Sequence, residues 1–129
     1  PPDVKNINIL NIPYPTDTFD LIICNHVLEH IPTDSVAMSE IRRVLKPKGK
    51  AFLQVPISKN SENTIEDNTI TEKEQREVAF GQFDHVRIYG QDYQKRLEQN
   101  GFKVNRVNIS KRYNYFGLNK NEDLFICEK

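Results

Sequence analysis

Phe19-Asp20-Leu21-Ile22-Ile23-Cys24-Asn25-His26-Val27-Leu28-Glu29-His30-Ile31-Pro32 passes from an apolar run into a cluster of ionisable side chains and stops at a proline. Apolar residues in an unbroken run, rather than in alternation, read as a strand buried on both faces of a parallel sheet. The sudden chemistry after Cys24 then lies at the carboxyl end of that strand, where open α/β sheets bind their ligands.

The neighbours extend this pattern. Upstream, Asn6-Ile7-Asn8-Ile9-Leu10 alternates polar and apolar and reads as a short strand, while Asn11 to Thr18 carries two prolines and turn-forming Asp17. Downstream, Thr33 or Asp34 can cap a helix in which Ala37, Ile41, Val44 and Leu45 share one face, with Arg42, Arg43 and Lys46 in its last turns. Lys46-Pro47-Lys48-Gly49 ends the helix, and Lys50 to Val55 is a second strand. Strand, helix and strand in so short a stretch predict a right-handed crossover and a parallel pair.

The second half is less regular. Ser58 to Asp67 is polar and reads as a mobile surface loop. Thr71-Glu72-Lys73-Glu74 matches a capping box that opens a helix from Glu72 to Phe80. The segment Phe80 to Gly90 mixes aromatic and ionisable residues, with Arg87 and Asp84 readable as a surface ion pair. Gln91 to Asn100 is a helix with Tyr93 and Leu97 on one face, stopped by Gly101. Phe102 to Ile109 is a strand whose alternation breaks near Arg106, which suggests a bulge. A polar, aromatic-bearing connection from Lys111 to Glu122 leads to a closing strand, Leu124 to Cys127, that should pair antiparallel.

Composition narrows the function. The chain has 129 residues, one domain's worth, with 18 basic and 18 acidic side chains, so no global field draws it to nucleic acid or to an anionic membrane. No apolar run approaches the roughly 18 residues that a membrane span needs. Cys24 and Cys127 each sit in an apolar run and read as buried free thiols of a cytoplasmic protein. None of the five glycines stands two residues from another, so there is no G-x-G phosphate loop.

His26-Val27-Leu28-Glu29-His30 spells H-x-x-E-H, the signature of inverted zinc peptidases, in which two histidines one helical turn apart hold the metal and the glutamate is the base. A strand ends just before His26 and Pro32 follows His30, so no helix of several turns can carry the pair. The zinc-peptidase reading fails on that geometry, and no metal is expected.

Asn11 to Ile22, His26 to Ile31 and Glu40-Ile41-Arg42-Arg43-Val44-Leu45-Lys46-Pro47-Lys48-Gly49-Lys50 together resemble the class I S-adenosylmethionine-dependent methyltransferases of the small-molecule type. Tyr93 to Phe102 resembles their final helix and turn. The resemblance implies an α/β, Rossmann-like methyltransferase sheet with an antiparallel closing hairpin. It implies methyl transfer from S-adenosylmethionine to a small-molecule acceptor, with Asn8 and Ile9 at the adenine and Asn25 and His26 along the methionine part. His26, His85 and Tyr89 are the candidate bases. Residues 58–90 correspond to a lid or substrate-side insertion within the single domain, 1–129.

One family feature is missing. The glycine-rich first turn and the acidic residue after the second strand are not in this chain, so the sheet is expected to be incomplete at its amino-terminal side, as in the carboxyl-terminal part of a methyltransferase. Leu21 to Cys24 would then be an exposed edge that invites a homodimer. A catalytically inactive methyltransferase-like domain that serves an interaction is the alternative.

Overall fold

The structure, a computed structural model, describes residues 3–129; Pro1 and Pro2 of the polar opening lie outside the described residues. Its elements are β1 (Phe19–Asn25), α1 (Asp34–Val44), β2 (Leu45–Gln54), β3 (Ile65–Glu66), α2 (Lys73–Phe80), β4 (Arg87–Ile88), α3 (Tyr93–Gln99), β5 (Lys103–Val107) and β6 (Leu124–Glu128). Four strands form one sheet in the order β1-β2-β6-β5, and β3 pairs with β4 in a separate two-stranded ribbon.

The first crossover forms as its residues require. β1 and β2 are parallel, with Ile22 opposite Ala51 and Asn25 opposite Gln54. Between them α1 buries Ala37, Met38, Ile41 and Val44, the face its spacing marks out. The helix ends at Val44, short of the Lys46 stop that its sequence suggests. Leu45 already pairs with Phe19, and Lys48, at φ 63°, makes a left-handed kink within β2 before the ladder resumes at Lys50. Neither Thr33 nor Asp34 caps α1 through its side chain. Asp34 is drawn instead into a buried ion network.

β6 runs antiparallel to both β2 and β5, which gives the closing hairpin. The register from Lys103–Glu128 to Val107–Leu124 is unbroken, so the bulge expected at Arg106 is absent. The break in alternation is a charged side chain placed on the helix-covered face. Two more expectations change. Asn6 to Leu10 is not a strand: Asn8 and Asn11 make a single bridge that closes a turn. Part of the 58–67 loop is ordered by pairing, with Ile65 opposite Ile88 and Glu66 opposite Arg87.

The core lies between one face of the sheet and the helices α1 and α3. Cys24, Ala51, Leu53, Phe125 and Cys127 from the strands meet Met38, Ile41, Tyr93 and Leu97 from the helices. Tyr93 donates its hydroxyl to the Leu53 carbonyl, and its ring stands edge-on to Phe125. Gly101 takes the left-handed stop after α3 at φ 91°, and Arg42 donates to its carbonyl. Both cysteines are buried free thiols. The other face of the sheet is less covered: Leu21 is 53% and Ile23 68% exposed, and β1 is the sheet's edge. No helix among the described residues is long and apolar enough to cross a membrane.

Arg43 and Glu40 fasten the proline loop to α1. Glu40 accepts from Arg43 and from the Ile12 amide, while Arg43 donates to the carbonyls of Ile12 and Tyr14. The Arg43 hydrogen bond, then that of Ile12, holds the Glu40 carboxyl down at about 2. A carboxylate with a depressed folded pKa stabilises the fold above its unfolded pKa, roughly 4.3 for Glu, and that contribution is lost as pH falls through the folded value. Glu40→Gln is therefore expected to lower the urea midpoint at pH 7, with the gap to wild type closing between about pH 4 and pH 2. A gap that is constant across this range would show that the carboxylate charge contributes nothing.

Candidate functional site

The carboxyl ends of β1 and β2 open into a cleft of about 550 Å³. His26 and Gln54 form its floor, Arg106 and Asn108 rise from the end of β5, and Asn119 to Asp123 close the far wall. The strand after Asn25 turns sharply: His26 takes φ 51°, and its amide donates to the Gln54 carbonyl at 2.9 Å. A non-glycine residue in the left-handed region is uncommon, and such strain gathers at functional sites. The turn lifts the imidazole out of the sheet, leaving it 53% exposed with Nδ1 3.4 Å from Glu29 Oε1.

The polar wall is tightly ordered. Arg106 donates to Asp123 at 2.7 Å and to Gln91 Oε1 at 3.0 Å, with its guanidinium over the Phe125 ring. Burial would raise the Asp123 carboxyl, but the hydrogen bonds from Arg106 and Asn108 prevail and hold it below its ordinary value. Gln54 donates to the Asp123 carbonyl and to Glu122, which leaves its Oε1 buried without a partner. An unpaired buried acceptor is costly. In a ligand cleft it fits a donor such as an ammonium or hydroxyl group.

Behind the cleft lies a buried ion network. Arg87 is 1% exposed and donates to the carbonyls of Leu28, Ile31 and Pro32 and to Glu66. The reading of Arg87 as Asp84's surface partner is thus corrected: Asp84 lies beside His30 instead. Asp34 accepts two bonds at 2.8 Å from Arg96 and one at 2.6 Å from Tyr89. Burial alone would raise the Asp34 and Glu66 carboxyls, yet the arginines bonded to them keep both below their ordinary range.

The structure separates the sequence candidates. Of the three candidate bases, only His26 lines the cleft. Tyr89 is fully buried, and burial with the Asp34 charge beside it pushes its phenol far up, so it is a core residue and not a base. His85 stands in a second cavity beside Glu29, with its ring 4.7 Å from that of His30. Asn8 is exposed and its Oδ1 accepts the Leu10 amide; Asn25 ends β1; neither of them, nor Ile9, contributes to the cleft wall. Gln54, Gln91, Arg106 and Asp123 line the cleft without a local pattern that marks them. The only trace of them in the sequence is the misplaced charge at Arg106. Tyr113, Tyr115 and Phe116 of the aromatic-bearing connection are exposed.

Residues 2–53 match the family model described as a methyltransferase domain. An uncharacterized protein of Methanocaldococcus jannaschii is 48% identical over 54 residues, which are 42% of this chain and 23% of that protein. Among solved structures, the [4+2]-cyclase SpnF superposes with a TM-score of 0.64 at 16% identity, over 97% of this chain and 56% of its own. An S-adenosylmethionine-dependent methyltransferase from Mesorhizobium loti gives 0.58 at 16% identity, over 97% of this chain and 68% of its own. At such identity the likeness to these structures is one of fold. The chain spans less than a quarter of its curated relative and little more than half of SpnF.

Tyr89→Phe provides a test of the buried network. Loss of a hydroxyl bonded to a carboxylate should cost about 1.5–3 kcal/mol in chemical denaturation. Ligand affinity in the cleft should be unchanged, and a large loss of affinity at intact stability would return Tyr89 to the site.

Proposed function

Since the chain carries the α/β fold of class I methyltransferases, we propose that it contributes to methyl transfer from S-adenosylmethionine to a small-molecule acceptor bound in the cleft between His26 and Arg106. The observation behind this reading is the placement of His26. Its strained turn puts a half-exposed imidazole at the carboxyl end of β1, in the cleft that Gln54, with its buried unpaired Oε1, also lines. That is the ligand-binding end of an open α/β sheet.

The cofactor supplies an already activated methyl group, which leaves the protein to align the reactants and, where the acceptor carries a proton, to remove it. Asn8 Oδ1 and the Ile9 amide would hold the adenine. Asn8 Oδ1 already takes the Leu10 amide, but an amide oxygen accepts two bonds, so the residue still fits. The Asn25 carbonyl and Gln54 Oε1 are acceptors suited to an ammonium group. Glu29 orients the His26 ring through Nδ1, and the imidazole then takes the acceptor's proton. Arg106, pinned by Asp123 and Gln91, would orient an anionic or oxygen-rich acceptor. Residues 58–90 would border the acceptor through Lys59, which lines the cleft.

S-adenosylhomocysteine is expected to raise the melting temperature, and His26→Ala to lower methyl transfer by about 10²–10⁴-fold, the range of general-base catalysis. An unshifted melting curve at saturating S-adenosylhomocysteine would refute the cofactor site and favour an inactive interaction domain.

A homodimer is the second part of the proposal. Leu21 and Ile23 are exposed on the edge strand β1, and an apolar edge of this kind pairs readily with a second strand. Sedimentation should show a dimer that Ile23→Lys converts to monomer; a monomeric wild type at high concentration excludes it.

A further inference from the structure

The turn after β1 and the end of the 58–90 segment bring His85 beside the adjacent Glu29 and His30. Each of the three offers a ligand atom, and these atoms all lie within 4.8 Å of one another. Glu29 is 2% exposed, and its second oxygen, Oε2, is buried with no hydrogen-bond partner. A buried carboxylate oxygen without a donor is unstable unless a cation or a proton meets it.

The two histidines are oriented for such a cation. His30 Nδ1 is 3.1 Å from the Asp84 carbonyl, which can only accept, so Nδ1 carries the proton. In the neutral ring Nε2 then carries the lone pair, and it lies 3.9 Å from Glu29 Oε1. Metal-bound histidines show this arrangement, one nitrogen on the ion and the other held by a backbone carbonyl or carboxylate. Asp84 Oδ2, 3.4 Å from the same Nδ1, adds to it. The His85 ring meets that of His30 edge to face. Ligands about 2.1 Å from a tetrahedral ion lie roughly 3.4 Å apart, so small side-chain rotations would close the shell.

We propose that Glu29, His30 and His85 form a binding site for a divalent transition-metal ion of the zinc type. Two imidazoles and one carboxylate are a ligand set with positions to spare. Those positions face the second cavity, about 310 Å³, which Glu29 and His85 line together with Ile57, Phe80 and Arg87. An oxygen donor of a small molecule in this cavity would complete the coordination and be polarised by the ion. The site is a different one from the H-x-x-E-H pattern, because His85 takes the place of His26, which turns toward the cleft. It stands whether or not the chain transfers methyl groups.

The chain has three histidines, which makes the test direct. Zn²⁺ titration of the protein, followed by imidazole ¹⁵N resonances, should show one ion per chain, with His30 and His85 moving to metal-bound shifts and His26 unmoved. Cobalt substitution should give the visible absorption of a low-symmetry site. His85→Ala and Glu29→Gln should each weaken Zn²⁺ binding by at least about tenfold, given that even supporting residues of metal sites cost 10–100-fold. The proposal is overturned if the wild type shows no saturable binding, if His26 responds in place of His85, or if His85→Ala binds zinc as tightly as wild type. Should either variant fail to fold, the wild-type resonances decide.

Discussion

The guanidinium of Arg87 is the constraint on which the site depends. The chain between β1 and α1 makes a single 3-10 turn at Leu28–His30, closed by the Ile31 amide on the Leu28 carbonyl, which leaves most of the acceptor capacity of its carbonyls to other donors. Arg87 reaches in from β4 and donates to three of them, those of Leu28, Ile31 and Pro32. A buried cation needs compensation, and Glu66 on the paired strand β3 supplies it at 2.9 Å. Turn and arginine support each other: the guanidinium bonds all three carbonyls, the Tyr89 hydroxyl adds a longer bond to that of Leu28, and these acceptors with Glu66 let the arginine be buried. Lysine could not replace it, since one ammonium cannot span three carbonyls and a carboxylate.

The same contact decides where the chemistry lies. With Leu28 and Ile31 tied to β4, the Val86 amide donates to the Glu29 carbonyl, which sets residues 84–86 against residues 29–30. Glu29 is forced inward, between His26 on one side and His30 on the other. Glu29 thus lines the smaller cavity beside His85, while its partner His26 lines the larger. Asp34, Tyr89 and Arg96 extend the network to α3 and fix its helix against the start of α1. Breaking one partner of such a buried pair typically costs about 3–5 kcal/mol, so the two cavities are tied to the fold's stability.

What could be read in advance was what is local. The periodicity of α1, the unbroken apolar run of β1, the stop at Gly101 and the antiparallel hairpin each follow from side-chain direction repeating with backbone geometry. Each is present. The misreadings have a common cause as well. Asn6 to Leu10 alternates like a strand but finds no partner strand, Arg106 looks like a bulge because its charge faces a polar cleft, and Arg87 looks like a surface residue because its carbonyl partners are distant in sequence.

By itself the sequence determined the order of the main-sheet strands and the three helices, the helix faces that pack, the strand-end location of His26 and the likeness to class I methyltransferases. The tertiary structure alone decided that Tyr89 belongs to the core, that Arg106 and Gln54 belong to the cleft, and that His85 rather than His26 shares a pocket with His30. The reason is physical. A face along one element is encoded by neighbours a turn or two apart, whereas a site is assembled from residues whose approach depends on which loop satisfies another's unpaired carbonyls.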